Sequence, residues 1–179
     1  IMGLEGKNVL LREEQIEDIP HQVALRNDLA TQAWSKALPP DYTIEMYQKR
    51  YNKREFSFDR DDGRFTILSK ETGDYVGHIA YSEYEDRFSA TIGIVISKKY
   101  WGTGLAFDAQ ETLLKFLFLE LGIQVCRLWT QSGNQSAVRL AKKSGFKISG
   151  QIRNSVYIRG KINDAITADL LREEYFKIS

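Results

Sequence analysis

The spacing of apolar and polar positions changes period several times along this chain, and each change marks an expected element. Val9-Leu10-Leu11-Arg12 predicts a short strand, and residues 18–29 carry helical spacing, with Asp18 as the expected cap and Pro20 tolerated in the first turn. Pro39-Pro40 closes that region. A second helix is expected over residues 44–51 with Thr43 as its cap, although Met46 stands where a capping box would place Glu or Gln. After the Asp61-Asp62-Gly63 turn signal, the apolar runs 65–68 and 75–81 flank Glu71-Thr72-Gly73-Asp74 and predict a hairpin. Residues 90–97 are rich in isoleucine and valine, so that strand is expected to be buried on both faces.

This strand runs straight into Lys99-Tyr100-Trp101-Gly102-Thr103-Gly104. A helix follows over residues 105–121, where Ala106, Ala109, Leu113, Phe116 and Leu117 share one stripe and Gly122 supplies the stop. Residues 125–130 predict a buried strand, 135–144 a helix closed by Gly145, and 146–153, 155–159 and 165–171 three terminal strands. Strands joined by two crossover helices imply an α/β fold with a mixed sheet. Three prolines, no repeat and no low-complexity stretch offer no boundary, so residues 1–179 are expected to form a single domain.

Composition narrows the partners. A chain of 179 residues that is 42% apolar can bury a sizeable core. With 25 Lys and Arg against 24 Asp and Glu, the net charge of +1 gives no field that would gather nucleic acid or an anionic membrane, so neither is expected as a partner. Cys126 stands alone and the two histidines, His21 and His78, lack zinc-site spacing, which predicts a reducing compartment and no metal. No apolar run approaches the ~20 residues needed to span a bilayer, and the first residues lack signal-peptide order, so the expected location is cytoplasmic.

A strand that ends in Gly-x-Gly and continues as a helix points several unpaired backbone N–H groups at one spot, with the helix dipole behind them. Glycines at 102 and 104 allow close backbone approach and tolerate positive φ around an anion. By itself the pair serves equally as a tight corner or as a phosphate cradle. A P-loop is excluded because Leu105-Ala106 follows Gly104 where Lys and Ser or Thr are needed. A dinucleotide fingerprint fails because its third glycine position holds Phe107 and the turn follows several strands.

The chain resembles the GNAT superfamily of N-acetyltransferases, whose pyrophosphate motif is Gln/Arg-x-x-Gly-x-Gly/Ala between a strand and a long helix. The stretches that carry the resemblance are Gly6-Lys7-Asn8-Val9-Leu10-Leu11-Arg12, Ile92-Gly93-Ile94-Val95-Ile96, the glycine turn, Asn134-Gln135-Ser136-Ala137-Val138-Arg139-Leu140 with Ser144-Gly145-Phe146, and Gly160-Lys161-Ile162-Asn163-Asp164. Within the superfamily they are most similar to the group holding ribosomal-protein N-terminal and spermidine acetyltransferases. The motif's first position is Lys99 here, a departure of small weight because backbone amides bind the anion.

The resemblance implies a single-domain, mostly antiparallel sheet with flanking helices and a splayed central strand pair, and acetyl-CoA as cosubstrate. The pantetheine arm would lie along Ile94, Val95 and Ile96, with residues 125–131 as the other wall, and the pyrophosphate on Lys99, Trp101, Gly102, Thr103, Gly104, Leu105 and Ala106. Asn134 matches a coenzyme-contacting position and is equally a helix N-cap. The expected acceptor is a small-molecule amine or a protein N-terminus, and homodimerisation is left open.

The family's usual proton-transfer side chains are missing. Thr91 stands where a carboxylate is common before the Ile-Gly pair, Ala141 replaces a tyrosine and Ala137 a serine. Glu83 becomes the candidate base, aligning with a carboxylate that holds the amine in the polyamine enzymes. Equally, it is a solvated charge in the run Glu83-Tyr84-Glu85-Asp86-Arg87. Tyr81 is a second candidate that serves equally as core. Trp34 and Asp28 fall in the segment that covers the acceptor, whereas His78, Trp101, Trp129 and Cys126 are read as packing by side chain. Residues 35–40 carry no carboxylate, which argues against a polycation as acceptor. A noncatalytic acyl-CoA-binding module is the alternative.

Overall fold

A computed structural model describes residues 3–34, 41–54 and 60–178. The strands are β1 (Leu4–Glu5), β2 (Val9–Glu13), β3 (Gly63–Ser69), β4 (Tyr75–Glu85), β5 (Ser89–Ile96), β6 (Val125–Gln131), β7 (Lys147–Ile158) and β8 (Lys161–Leu171). They form one sheet in the order β1-β2-β3-β4-β5-β6-β8-β7. Every neighbouring pair is antiparallel except β5 with β6.

That parallel pair is short. Residues 89–91 face 125–127, and no pairing continues beyond Thr91 and Arg127, although β5 runs on to Ile96 and β6 to Gln131. β5 is tied to β4 as far as Gly77 opposite Ile96, and β6 to β8 as far as Gln131 opposite Ala165. Each half of the sheet follows its own antiparallel partner and its own twist, so the two strands diverge. The splayed central pair expected from the resemblance is present.

Helices cover both faces. α3 (Leu105–Lys115), extended by a wider turn over Phe116–Glu120, buries Ala109, Leu113, Leu114 and Leu117 against Val9, Leu11, Ile67, Ile79 and Ile92. α4 (Gln135–Lys143) adds Ala141 to this core, and Phe118 stacks on Tyr175 of α5 (Arg172–Ile178) at a centroid distance of 4.5 Å. The opposite face carries α1 (Ile19–Asn27) and α2 (Ile44–Asn52). Thr43 caps α2 as expected, accepting from the Met46 N–H at 3.2 Å.

Three expectations need correction. Asp18 does not cap α1. Its carboxylate is buried, takes both guanidinium N–H groups of Arg12 at 2.7 and 2.9 Å and the Thr66 hydroxyl at 2.7 Å, and so ties the entry of α1 to β2 and β3. The helix itself ends at Asn27, two residues short of the expected Leu29. The three terminal strands are one long hairpin: Asn154, at φ +50°, bulges within β7, and Arg159 and Gly160 turn the chain with φ +52° and +80°. β1 and α5 were not expected. Among the described residues no helix is long and apolar enough to cross a membrane.

Candidate functional site

The glycine turn is built by its φ angles. Gly102 sits at φ +73° and Gly104 at +83°, a region L side chains enter only with strain. A Cβ at either position would meet no atom within 4 Å, so these glycines avoid no clash inside the protein, and the space over them is open. Gly104 is the N-cap of α3 with no side chain capping it, and the first bond of the helix runs from Asp108 N–H to the Gly104 carbonyl at 3.1 Å. The N–H groups of Gly104, Leu105, Ala106 and Phe107 therefore have no acceptor within the helix. Four uncapped donors, the dipole and a vacant approach fit a diphosphate.

Side chains hold the turn rather than fill it. Thr103 Oγ1 donates to the Tyr100 carbonyl at 2.6 Å, and Trp101 Nε1 donates to the Ile96 carbonyl at 2.9 Å. Lys99 is exposed, its ammonium 5.3 Å from the Tyr100 ring centre. One cation escaped sequence reasoning: Lys143, in the last turn of α4, lies 4.2 Å from the ring centre of Phe107 and so beside the first turn of α3. The paired Lys142-Lys143 before the Gly145 stop is the signal that could have found it.

Which groups of β5 face the gap follows from alternation. Ser97 N–H donates to Val76 on β4, and the Phe88 carbonyl accepts from Val125 N–H on the β6 side. Carried along an extended strand, this turns the backbone of Ile92, Ile94 and Ile96 into the gap and that of Thr91, Gly93 and Val95 toward β4. Ile94 and Ile96 thus stand where a pantetheine arm would pair, and Val95 does not. Its side chain instead lines a cavity on the α1 and α2 face.

That cavity has a volume of about 270 Å³ and is bounded by α1, α2, β3, β4 and β5. His78 opens onto it, and burial, reinforced by Arg64, Arg50 and Arg26, holds its pKa down to about 3. Toward the other end of the same β5 face, Thr91 Oγ1 donates to Glu83 Oε2 at 3.3 Å. Glu83 is exposed, lies inside β4 where the register shifts between Ser82 and Glu85, and adopts φ +51°. A non-glycine residue in that region carries strain of about 1–3 kcal/mol.

The remaining candidates are distributed as follows. Tyr81 lies on the α3 side, its ring 6.3 Å from Phe116 and laid over Gly63 of β3, away from the gap. Asn134 caps α4, its Oδ1 accepting from Ala137 N–H at 3.3 Å. Asp28 spends its carboxylate on its own loop, accepting from Ala30 N–H at 3.1 Å and Thr31 Oγ1 at 2.5 Å. Trp34 rests on Gly133, where a Cβ would come within 2.5 Å of its ring, and Arg159 donates to the Leu29 carbonyl at 3.1 Å. These contacts pin the 28–34 loop over the far end of β6. Of the four side chains read as packing, Cys126 is in the core, but Trp101 and Trp129 are 50% and 54% exposed and His78 lines the cavity. Residues 35–40 lie outside the described residues.

A sheet opened at one parallel pair, with an anion cradle at the mouth of the gap, defines an acyl-CoA transferase architecture. The sequence pattern of the acetyltransferase (GNAT) domain matches residues 8–147, and the chain belongs to that family. It is 29% identical over 174 residues to an uncharacterized N-acetyltransferase of the SPbeta prophage, YokL, from Bacillus subtilis, covering 95% of this chain and 93% of that one. Identity to the spermidine N(1)-acetyltransferase of Escherichia coli is 24% over 169 residues, 94% of this chain and 88% of that one. The crystal structure of the spermidine N-acetyltransferase from Vibrio cholerae in complex with CoA and spermine superposes with a TM-score of 0.83 at 22% identity, over 94% of this chain and 98% of that one. The chain is accordingly an acyl-CoA-dependent acetyltransferase with acetyl-CoA as cosubstrate.

Proposed function

We propose that this enzyme acetylates a primary amine by direct attack within a ternary complex, with Glu83 receiving the amine's proton. The observation that carries the proposal is the placement of Glu83: a carboxylate held at a strained bulge, oriented by Thr91, on the sheet face that carries the cavity. Arg87 and Arg159 share this φ region but lie in turns, whereas Glu83 holds it inside a strand, and backbone strain kept at an ionisable side chain within a strand is a pointer to function. The absence of a carboxylate at position 91 is offset in this reading by Glu83 reaching the same spot from β4.

The backbone N–H groups of Gly104 through Phe107 hold the diphosphate, and Asn134 supports the arm beside the start of α4. Acetyl-CoA supplies the thioester. The Ile94 N–H, turned into the gap, hydrogen-bonds the thioester carbonyl more strongly as negative charge grows on its oxygen. Glu83 accepts a proton from the amine as the C–N bond forms, and solvent at the open mouth returns a proton to the departing thiolate. Tyr81, leaning over Gly63, is structural in this scheme.

Initial rates measured against both substrates test the order of events. Intersecting double-reciprocal lines, free-thiol release with at least one amine, and a loss on the order of 100-fold in kcat for Glu83→Gln at unchanged acetyl-CoA affinity are expected. Parallel lines would reject the ternary complex, and full activity in Glu83→Gln would reject the base.

A further inference from the structure

We infer that the cavity between α1, α2 and the sheet is an anion-recognition pocket, and that the acceptor is a small amine carrying a phosphate or carboxylate group. The inference rests on the acetyltransferase reading above and names its substrate class. Arg26, Arg50 and Arg64 all line the cavity, and among the described residues no carboxylate does. Arg64 is neutralised by Glu14 at 2.8 Å. Among the described residues neither Arg26 nor Arg50 has a carboxylate partner: Arg26 lies 5.1 Å from the ring centre of Tyr42 and 3.5 Å from Gln32 Oε1, and Arg50 lies 4.5 Å from the ring centre of Tyr47. Two guanidinium groups therefore present unanswered charge to one small volume.

The polar groups deeper in the cavity are left open as well. Gln22 is 3% exposed, yet neither atom of its amide has a partner among the described residues. The Nδ1 of His78 and the Nε of Arg26 are in the same condition. A buried amide, one imidazole nitrogen and one guanidinium nitrogen without partners are costly, and they converge on one space. An oxyanion accepts from all three kinds of donor, and guanidinium forks match carboxylate and phosphate geometry. A polyamine ammonium offers donors only and would meet three arginines. Val95 forms part of the wall, so an anion held here lies on the same β5 face as Glu83 and leaves the acceptor's other end free to reach toward it.

Two measurements test this. With acetyl-CoA saturating, so that the glycine turn is filled, inorganic phosphate should raise the melting temperature more than chloride at equal ionic strength, and Arg50→Gln should remove the difference. Arg50 is exposed on a helix that buries no residue, so the variant keeps its fold, and Lys49→Gln on the same helix is the control that should retain the response. Thiol release is then compared for glucosamine 6-phosphate against glucosamine, phosphoethanolamine against ethanolamine, tyrosine against tyramine, and spermidine. Expected are a preference for at least one anionic member of tenfold or more in kcat/KM, and a rise in its KM of about tenfold or more in Arg50→Gln that collapses the preference. Whether phosphate or carboxylate pairs respond identifies the anion.

No phosphate response, or one that persists in Arg50→Gln, means a cavity that holds water alone and overturns the inference. Turnover of neutral amines or spermidine without an anion preference also overturns it, while the acetyltransferase mechanism stands. Acetyl-CoA binding without thiol release from any amine overturns the catalytic mechanism instead, and the phosphate response then still decides the pocket.

Discussion

Replacing Gly104 by alanine separates two roles of one residue. Its φ of +83° costs an L side chain about 1–2 kcal/mol, and because a Cβ there meets no atom within 4 Å, no clash adds to that figure. For a chain of this size each kcal/mol lowers the melting temperature by roughly 2–4 °C, so a fall of about 2–8 °C is expected. Gly160, in the β7–β8 turn, has φ +80° and the same open surroundings. Gly160→Ala should therefore lose the same stability. The two variants diverge in coenzyme affinity. At Gly104 the added methyl stands over the donors of the α3 N-terminus, and losing one hydrogen bond to a charged phosphate costs about 1.5–3 kcal/mol, or roughly 10–100-fold in Kd. Melting without ligand and calorimetric titration with acetyl-CoA read the two effects independently. Wild-type affinity in Gly104→Ala, or an equal loss in Gly160→Ala, would refute the cradle.

Three further outcomes are expected. Gly133→Ala pushes against Trp34, whose ring would lie 2.5 Å from the new Cβ, and should raise the KM of the acceptor several-fold with little change in acetyl-CoA affinity; an unchanged acceptor KM would remove the 28–34 loop from substrate binding. His78 stays neutral in the native state because burial and the nearby arginines hold its pKa to about 3, whereas the unfolded chain takes up the proton near pH ~6.5. Its stability contribution is thus complete above that pH and falls by up to ~1.4 kcal/mol per unit as pH drops toward 3, a slope that urea titrations should find flattened in His78→Gln. Asp18→Asn leaves the Arg12 guanidinium buried without its counter-charge and should cost about 3–5 kcal/mol by urea denaturation; a change under about 1 kcal/mol would show the pair to be dispensable.

Much of the sheet could be read directly because most strands signal their own burial: isoleucines mark β5, and the 65–68 and 75–81 runs bracket a turn inside the longer β3 and β4. Local chemistry was equally readable at Thr43 and Asn134, where a side-chain oxygen need reach only three residues ahead. Long-range features were not. Asp18 sits at a helix start and looks like a cap, but its partners Arg12 and Thr66 are brought to it by sheet pairing. Asn154 interrupts the pattern of β7 and splits one bulged strand into two apparent ones. The candidate pocket draws Gln22, Arg26, Arg50, Arg64 and His78 from four elements, and no spacing in the chain relates them. A tryptophan beside glycines carries no sign in the sequence that its indole spans the turn to Ile96, as that of Trp101 does.

The gap between β5 and β6 places an unpaired strand margin in the interior of the sheet, flanked by β4 and β8. An outer margin of this kind invites other chains to add strands and aggregate, whereas an inner one is already flanked on both sides by strands of its own sheet. The amides of Ile94 and Ile96 beyond the last pair should consequently exchange their hydrogens far faster than those of Gly93 and Val95, which face β4, until acetyl-CoA is bound. Poorly protected backbone would then lie at the centre of the sheet, and the ligand would be the seam that joins its halves.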